Sequence, residues 1–438
     1  MPSDDEPFAR PTATKPLLVG VLPHTFCNPK VQGCGFCTFP HERFQRPLAD
    51  EATRSVAREV EQIVTAHPSL SEQPVCGVYF GGGTANLAPV PAFRALCESV
   101  AQRFATTQAE VTLEGVPKYF SLRDFAIIHT MRDTLPARHY RVSMGVQTFD
   151  RAQLEAMGRD AFGDADDVAK VVQQCHTLGM TASGDFLVNL PGQRPGQMLA
   201  DVARAVQIGF DQICLYHLVL TDRMAVPWAR DPALVQALPN NPRAAANWNR
   251  AREALLASGY VQTTLTNFEA APVARSSRRF RYEAASFTPD QHDAIGFGPG
   301  AISTVSNDKF SVATKWMNTP TSARYTECIR AGRSAVDRVF EYERRDMQLL
   351  FVVRSLARMW ICNATYRHRF GVDFRDDFGS ETVALEKAGL VTCSAAGLAL
   401  TPKGMFYADS VAGLLAWRRT TSLRLRARDH DGPVSHMG

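Results

Sequence analysis

The chain has 438 residues, 45% hydrophobic and 21% charged, with a formal net charge of +4. That length and balance suit one large and one smaller globular domain and exclude a fibrous or wholly disordered chain. The small net charge gives no reason to expect nucleic-acid or membrane binding, and no apolar run is long enough for a membrane-spanning helix.

Residues 1–16 are rich in proline and charge, lack the apolar core of a signal peptide, and predict a disordered arm. Leu17-Leu18-Val19-Gly20-Val21-Leu22 reads as a buried strand. Directly after it, Cys27, Cys34 and Cys37 fall within eleven positions, on a stretch whose Asn-Pro-Lys and Gln-Gly segments read as loop. Three thiols on a loop at a strand's carboxyl end sit where parallel α/β sheets bind ligands. As soft thiolates they suit an iron–sulfur cluster, with one iron of a cubane left open. A structural zinc site, completed by His24 or His41, is the alternative. The other seven cysteines lie in largely apolar settings and read as buried reduced thiols, which with the acidic start predicts a cytoplasmic protein.

A helix is predicted over 49–67, where Val56, Val60, Ile63 and Val64 recur at helical spacing. A strand over 75–80 runs into Gly81-Gly82-Gly83-Thr84, where glycines let a ligand approach the backbone closely. Then come a helix over 91–104, strands over 110–114 and 141–146, a helix over 166–178, a strand over 181–190, a helix over 201–208 and a strand over 212–220. This alternation predicts a parallel sheet with right-handed crossovers. Asp185 lies inside an apolar strand, so it is either hydrogen-bonded structurally or turned toward a ligand. Residues 222–242 read as a proline-rich surface excursion, 243–259 as a long helix and 260–268 as one strand. Residues 344–362, 380–388 and 404–417 read as helices, with a strand and turn at 398–404. That order predicts a small winged-helix-like module, and 418–438 reads as a frayed basic tail.

Taken together, the three cysteines, Val78-Tyr79-Phe80-Gly81-Gly82-Gly83-Thr84, Val111-Thr112-Leu113-Glu114-Gly115-Val116-Pro117, Arg141 through Phe149, Asp185 through Gln193 and Ala294 through Ser303 resemble the radical S-adenosylmethionine (SAM) superfamily. Within it they resemble the oxygen-independent coproporphyrinogen III oxidase-like (HemN-like) family. The resemblance implies an α/β fold: a partial (β/α)6 barrel over 17–305, a C-terminal module over 306–420 and a flexible tail over 421–438. It implies a [4Fe–4S] cluster on Cys27, Cys34 and Cys37. It further implies SAM, in two copies, against Phe36, Gly82, Gly83, Thr84, Glu114, Gln147, Arg159, Asp185, Val219 and Ile302. In this superfamily an electron from the cluster breaks a sulfur–carbon bond of SAM, and the adenosyl radical takes hydrogen from carbon; the protein positions these groups. A small-molecule substrate and an electron-donor protein of flavodoxin or ferredoxin type are the implied partners.

The chain departs from the family pattern in its six residues between Cys27 and Cys34, in Val21 where the family carries a tyrosine, and in Thr38 where coproporphyrinogen enzymes carry a further cysteine. These departures argue against coproporphyrinogen decarboxylation. The favoured expectation is a relative of the class C radical SAM methyltransferases, methylating or cyclopropanating an sp2 carbon of a natural-product intermediate. The alternatives are a heme chaperone-like binding protein or a coproporphyrinogen III dehydrogenase-type porphyrin enzyme. Where heme chaperones carry histidine and tryptophan, this chain has Arg278-Arg279-Phe280-Arg281-Tyr282. Those arginines are either a solvated face or a contact for a substrate carboxylate or phosphate.

Overall fold

The computed structural model describes residues 15–27, 34–221 and 224–429, with backbone alone for 425–429. The strands are β1 (Leu17–Val21), β2 (Phe26–Cys27), β3 (Glu42–Arg43), β4 (Val75–Phe80), β5 (Glu110–Gly115), β6 (His139–Gln147), β7 (Thr181–Val188), β8 (Gln212–His217), β9 (Tyr260–Gln262), β10 (Asn267–Ala270), β11 (Asp293–Phe297), β12 (Ile302–Ser306), β13 (Ala313–Asn318), β14 (Val336–Tyr342), β15 (Trp360–Cys362), β16 (Val391–Ser394) and β17 (Gly397–Leu400). Twelve form one sheet in the order β14-β13-β12-β11-β1-β4-β5-β6-β7-β8-β10-β9. The six expected strands β1 and β4 to β8 are parallel neighbours, and β11 adds a seventh parallel partner on the far side of β1.

The sheet curls. The short helix Tyr282–Ser286 packs its Tyr282 ring against that of Tyr79 on β4, centroids 5.1 Å apart, while its Glu283 accepts a hydrogen bond from Asn267 on β10. In a flat sheet β4 and β10 would stand about 24 Å apart, at roughly 4.8 Å per strand. One five-residue helix reaches both only if the strands wrap around it. The Cβ that Gly20 or Gly77 lacks would meet Tyr282, so those glycines make room for this plug.

Around the outside lie helices Arg46–Ala66, Val90–Arg103, Ala165–Thr177, Pro195–Ile208 and Asn241–Ala257. Each buries one apolar stripe, such as Val56, Val60 and Val64 or Val168, Val171 and Val172. Caps fix their ends: Asp164 accepts from the N–H of Asp166 and Asp167 and forms a capping box with Asp167. Gly209 closes Pro195–Ile208 in the left-handed conformation.

Several expectations need correction. The strand expected over 260–268 is a hairpin of β9 and β10. Residues 306–342, expected in the C-terminal module, extend the large sheet as β13 and β14 around helix Ser322–Arg330. The last helix runs Ala408–Asp429, so the expected tail is helical to 429, and 430–438 lie outside the described residues. The arm expected over 1–16 lies outside the described residues as far as 14. Lys15 is buried and donates to the Ser306 hydroxyl at 2.6 Å, because the strand edge supplies acceptors for its ammonium. The C-terminal module comprises helix Arg344–Ala357, β15, helices Asn363–Phe370 and Phe374–Lys387, and the β16–β17 hairpin. Its core is aromatic, with Phe351, Tyr366, Phe370, Phe374 and Phe378 in mutual contact. The order of elements is winged-helix-like but differs in detail from the expected one: the helix expected over 344–362 stops at Ala357 and gives way to β15, and helix Asn363–Phe370 and β16 are additional. No helix among the described residues is long and apolar enough to cross a membrane.

Candidate functional site

The cysteine stretch is clamped at both ends. Cys27 does not sit in loop as expected: it ends β2, which pairs in parallel with β3. The Phe44 N–H donates to the Cys27 carbonyl at 2.9 Å, and the Thr84 N–H donates to that of Phe26 at 3.0 Å. Gly83 is obligatory there, because a Cβ would lie 2.6 Å from the Thr25 carbonyl oxygen. Cys34 and Cys37 share a turn closed by the Cys37 N–H on the Cys34 carbonyl at 3.1 Å. Trp228 pins that turn. Its N–H donates to Gly35 at 3.0 Å, its indole fills the space a Gly35 Cβ would take, and its ring meets that of Phe36 edge-on at 5.9 Å. Part of the expected surface excursion over 222–242 is therefore a buried wall of the site.

The three thiols open on one cavity of about 290 Å³ at the carboxyl ends of β4 to β7. Phe36, Gly82, Gly83, Thr84, Glu114, Gln147, Arg159 and Asp185 line it with them. Val219 and Ile302 do not. Val219 lies beyond the end of β8, which stops at His217, and Ile302 starts β12 on the rim; they are 47% and 45% exposed.

Local backbone explains how the polar side chains converge. The pairing of β6 with β7 slips between Gly145 and Gln147, and Gln147 is left-handed at φ 72°. Such a conformation is costly for a non-glycine residue and persists where the surroundings enforce it. It folds the Gln147 amide back over Gly145, where a Cβ would sit 3.1 Å from Gln147 Nε2 and 3.2 Å from Arg159 Nη2. Arg159 is buried. Its Nη1 donates to Cys34 Sγ at 3.1 Å and its Nη2 to the Gly145 carbonyl, its guanidinium lies 4.5 Å from the Phe162 ring centroid, and its Nε–H has no partner.

Glu114 and Asp185 both line the cavity. Burial, followed by the nearby Glu114 charge, pushes the Asp185 carboxyl up to about 7. Burial raises Glu114 too, against a hydrogen bond from the Tyr79 hydroxyl. A cation arriving beside them would favour the ionised form of each. Burial pushes the Cys27 thiol up to about 11, with a Thr84 hydrogen bond working the other way, so this thiol is protonated near neutral pH.

Both histidines are engaged through Nδ1. His24 is fully buried with Nδ1 accepting from the Phe26 N–H, and His41, which does line the cavity, is hydrogen-bonded through Nδ1 to the Phe39 carbonyl. Among the described residues, no three His, Cys, Asp or Glu side chains converge closely enough to hold one metal ion.

The arginines at 278–281 lie at the opposite end of the sheet. Arg278 faces Asp211 at 3.9 Å, its carbonyl accepts from Arg141, and the Arg281 N–H donates to Glu110 at the start of β5. Arg279 is exposed. The reading of this trio as a substrate contact does not hold for this site. Residues that the sequence reading missed include Tyr79, Phe162 and Trp228. Tyr79 was signalled by its alternation with Gly77 and Gly81, which puts it on the inner face. Trp228 was signalled by being a large apolar residue in a proline-rich segment.

Three comparisons bear on this arrangement. A family model described as HemN C-terminal domain matches residues 360–407. An oxygen-independent coproporphyrinogen III oxidase of Paracoccus denitrificans is 24% identical over 85% of this chain and 80% of its own. Heme chaperone HemW of Escherichia coli is 23% identical over 77% of this chain and 85% of its own. The mouse mitochondrial radical S-adenosyl methionine domain-containing protein 1 is 27% identical over 61% of this chain and 57% of its own. The solved structure of Escherichia coli coproporphyrinogen III oxidase (HemN), described as a radical SAM enzyme, shares the fold at a TM-score of 0.74. It has 19% identity and covers 93% of this chain and 91% of its own. The chain is thus similar over most of its length to HemN-like radical SAM proteins and shares the HemN fold.

Proposed function

We propose that this chain binds a [4Fe–4S] cluster through Cys27, Cys34 and Cys37, binds SAM beside it, and acts on or carries a tetrapyrrole-class ligand. The observation that carries the cofactor reading is the single cavity holding three thiols, two carboxyls, Gln147 and Arg159. The residues fit these groups. Three thiols on one cavity are the soft donors that an iron–sulfur cluster takes. Glu114 and Asp185 complement the ammonium and sulfonium charges of SAM. The unused Arg159 Nε–H is a ready donor to its carboxylate. The Gly82 to Thr84 backbone lets the ligand approach without a side chain between. When bound, the cluster and SAM supply one-electron cleavage of a sulfur–carbon bond and hydrogen abstraction from carbon. The protein's part is orientation and exclusion of water, by Phe36, Phe162 and Trp228 around the thiols.

The tetrapyrrole reading is supported by the relatives, whose names refer to coproporphyrinogen and to heme, both tetrapyrroles. A second reading, radical methyl transfer to an sp2 carbon, is favoured by one feature: Gln147 also lines the cavity and is left for a second SAM once Glu114, Asp185 and Arg159 are matched to the first. One anaerobic experiment separates them. Reconstituted protein with SAM and dithionite is assayed for 5′-deoxyadenosine and S-adenosylhomocysteine, and separately titrated with heme. Stable heme uptake, or porphyrinogen-dependent deoxyadenosine, supports the tetrapyrrole reading. Both nucleoside products, with methyl deuterium of SAM appearing in deoxyadenosine, support methyl transfer and refute it.

A further inference from the structure

The wall of the cysteine cavity has an outer side. Phe44 and Tyr119 line a separate surface groove of about 190 Å³ together with Arg46, Leu122 and Arg123. The Phe44 N–H is bonded to the Cys27 carbonyl at 2.9 Å. One residue's thickness therefore separates the groove from a thiol that faces the cavity.

The groove is apolar at its floor and basic at its rim. Leu87, Val90 and Ile127 line it, and Leu122 is 50% exposed there. Arg46 and Arg123 are exposed on its lining, and Arg43 and Lys118, next in the chain to Phe44 and Tyr119, are exposed as well. The acids at the start of the same helix are already neutralised: Asp50 pairs with Arg54 at 2.7 Å and Glu51 with Arg330 at 2.8 Å. The loop that presents Arg123 carries one carboxylate, Asp124, and its residues 123 to 125 are all left-handed, at φ 52°, 55° and 57°. An apolar patch with a one-sign rim matches a partner of opposite charge, which such a rim steers and orients.

We infer that this groove docks an acidic one-electron carrier protein, which delivers the electron to the cluster through the Phe44 wall. The inference rests on the cluster reading above. The transfer balances simply: the carrier is oxidised by one electron, the cluster is reduced by one, and no bond or proton changes hands.

The test uses reconstituted protein and a plant-type [2Fe–2S] ferredoxin as the probe. Binding is measured calorimetrically at low and high salt, and reduction of the cluster is followed by its visible bleaching under stopped flow, with no substrate present. The double variant R46E/R123E, two surface changes outside the cavity, is expected to bind ferredoxin on the order of tenfold more weakly at low salt and to lose most of the salt dependence. Its bleaching by ferredoxin slows in parallel, while bleaching by dithionite stays at the wild-type rate. Unchanged ferredoxin affinity in the double variant overturns the inference. So does equally tight binding of an acidic protein without a redox centre. A wild-type preparation that takes up no cluster refutes the underlying reading and the docking site with it.

Discussion

Glu59 offers a quantitative test of how the sheet is closed behind the cysteine stretch. It is a fully buried carboxyl on helix Arg46–Ala66. Its Oε2 accepts from the Gly298 N–H and the Tyr325 hydroxyl, each at 2.7 Å, and its Oε1 from Asn318 Nδ2 at 2.7 Å. These bonds tie the helix to the turn after β11, to β13 and to helix Ser322–Arg330. Glu59→Ala leaves three buried donors without an acceptor, a loss of about 3–5 kcal/mol. Glu59→Gln keeps an oxygen for Gly298 and Tyr325 but turns an amide toward Asn318. Asn318 then flips and gives up its own bond to the Gly298 carbonyl, a loss of about 1 kcal/mol. The pH dependence is a second signature. Burial raises Glu59 from an ordinary 4.5 to about 7, against the three hydrogen bonds. Its folded-state pKa lies above the unfolded one, so its stabilising contribution is complete below pH 4.5 and is lost as pH rises through about 7. That gap corresponds to about 3 kcal/mol. Urea unfolding near pH 5 and near pH 8, followed by far-UV circular dichroism, measures both effects. The wild type is expected to lose more stability than Glu59→Gln between the two. Parallel losses, or an Ala variant as stable as the Gln variant, refute the reasoning.

Other positions give independent checks. Gly83→Ala places a Cβ 2.6 Å from a backbone oxygen that cannot yield, so β2 must shift; iron uptake on reconstitution should fall severalfold while the unfolding midpoint of the module stays unchanged. Asp185 is neutral below about pH 7, so SAM affinity by calorimetry should weaken as pH falls through that value, and Asp185→Asn should be weak and flat across it. Phe406, whose ring lies 4.7 Å from that of His217 and 6.3 Å from that of Trp248, seats the C-terminal module on the ends of β7 and β8. Phe406→Ala should raise hydrogen exchange in β15 to β17 with β4 to β6 unaffected.

Much of the sheet was legible because its strands are apolar runs separated by helices of clear amphipathic period, as at β4 and helix Ala165–Thr177. What escaped the sequence has physical reasons. The β9–β10 turn is built from Thr263 to Thr266, β-formers without glycine or proline, so no turn signal interrupts them. Residues 418–429 carry charge without an apolar stripe and look like a tail. Yet Arg419 is held by Asp346 at 2.8 Å and Arg418 by Glu381 at 2.9 Å, and the helix persists on the module's surface. At the site, Gly82 to Thr84, Glu114 and Gln147 lie at or just beyond strand ends, where motif position and geometry coincide. Val219 and Ile302 were placed by resemblance alone, and both fall outside the cavity. The slip at Gln147 depends on tertiary pairing that no local pattern encodes.

The central claim is that Cys27, Cys34 and Cys37 hold a cluster whose open iron meets SAM. Its most direct test is electron paramagnetic resonance of the dithionite-reduced, reconstituted protein with and without SAM, beside a variant with all three cysteines changed to alanine. The account predicts a [4Fe–4S] signal that SAM shifts in the wild type, and no signal in the variant. A wild-type protein that holds a single zinc ion instead, or a cluster signal that survives loss of the three cysteines, would contradict it.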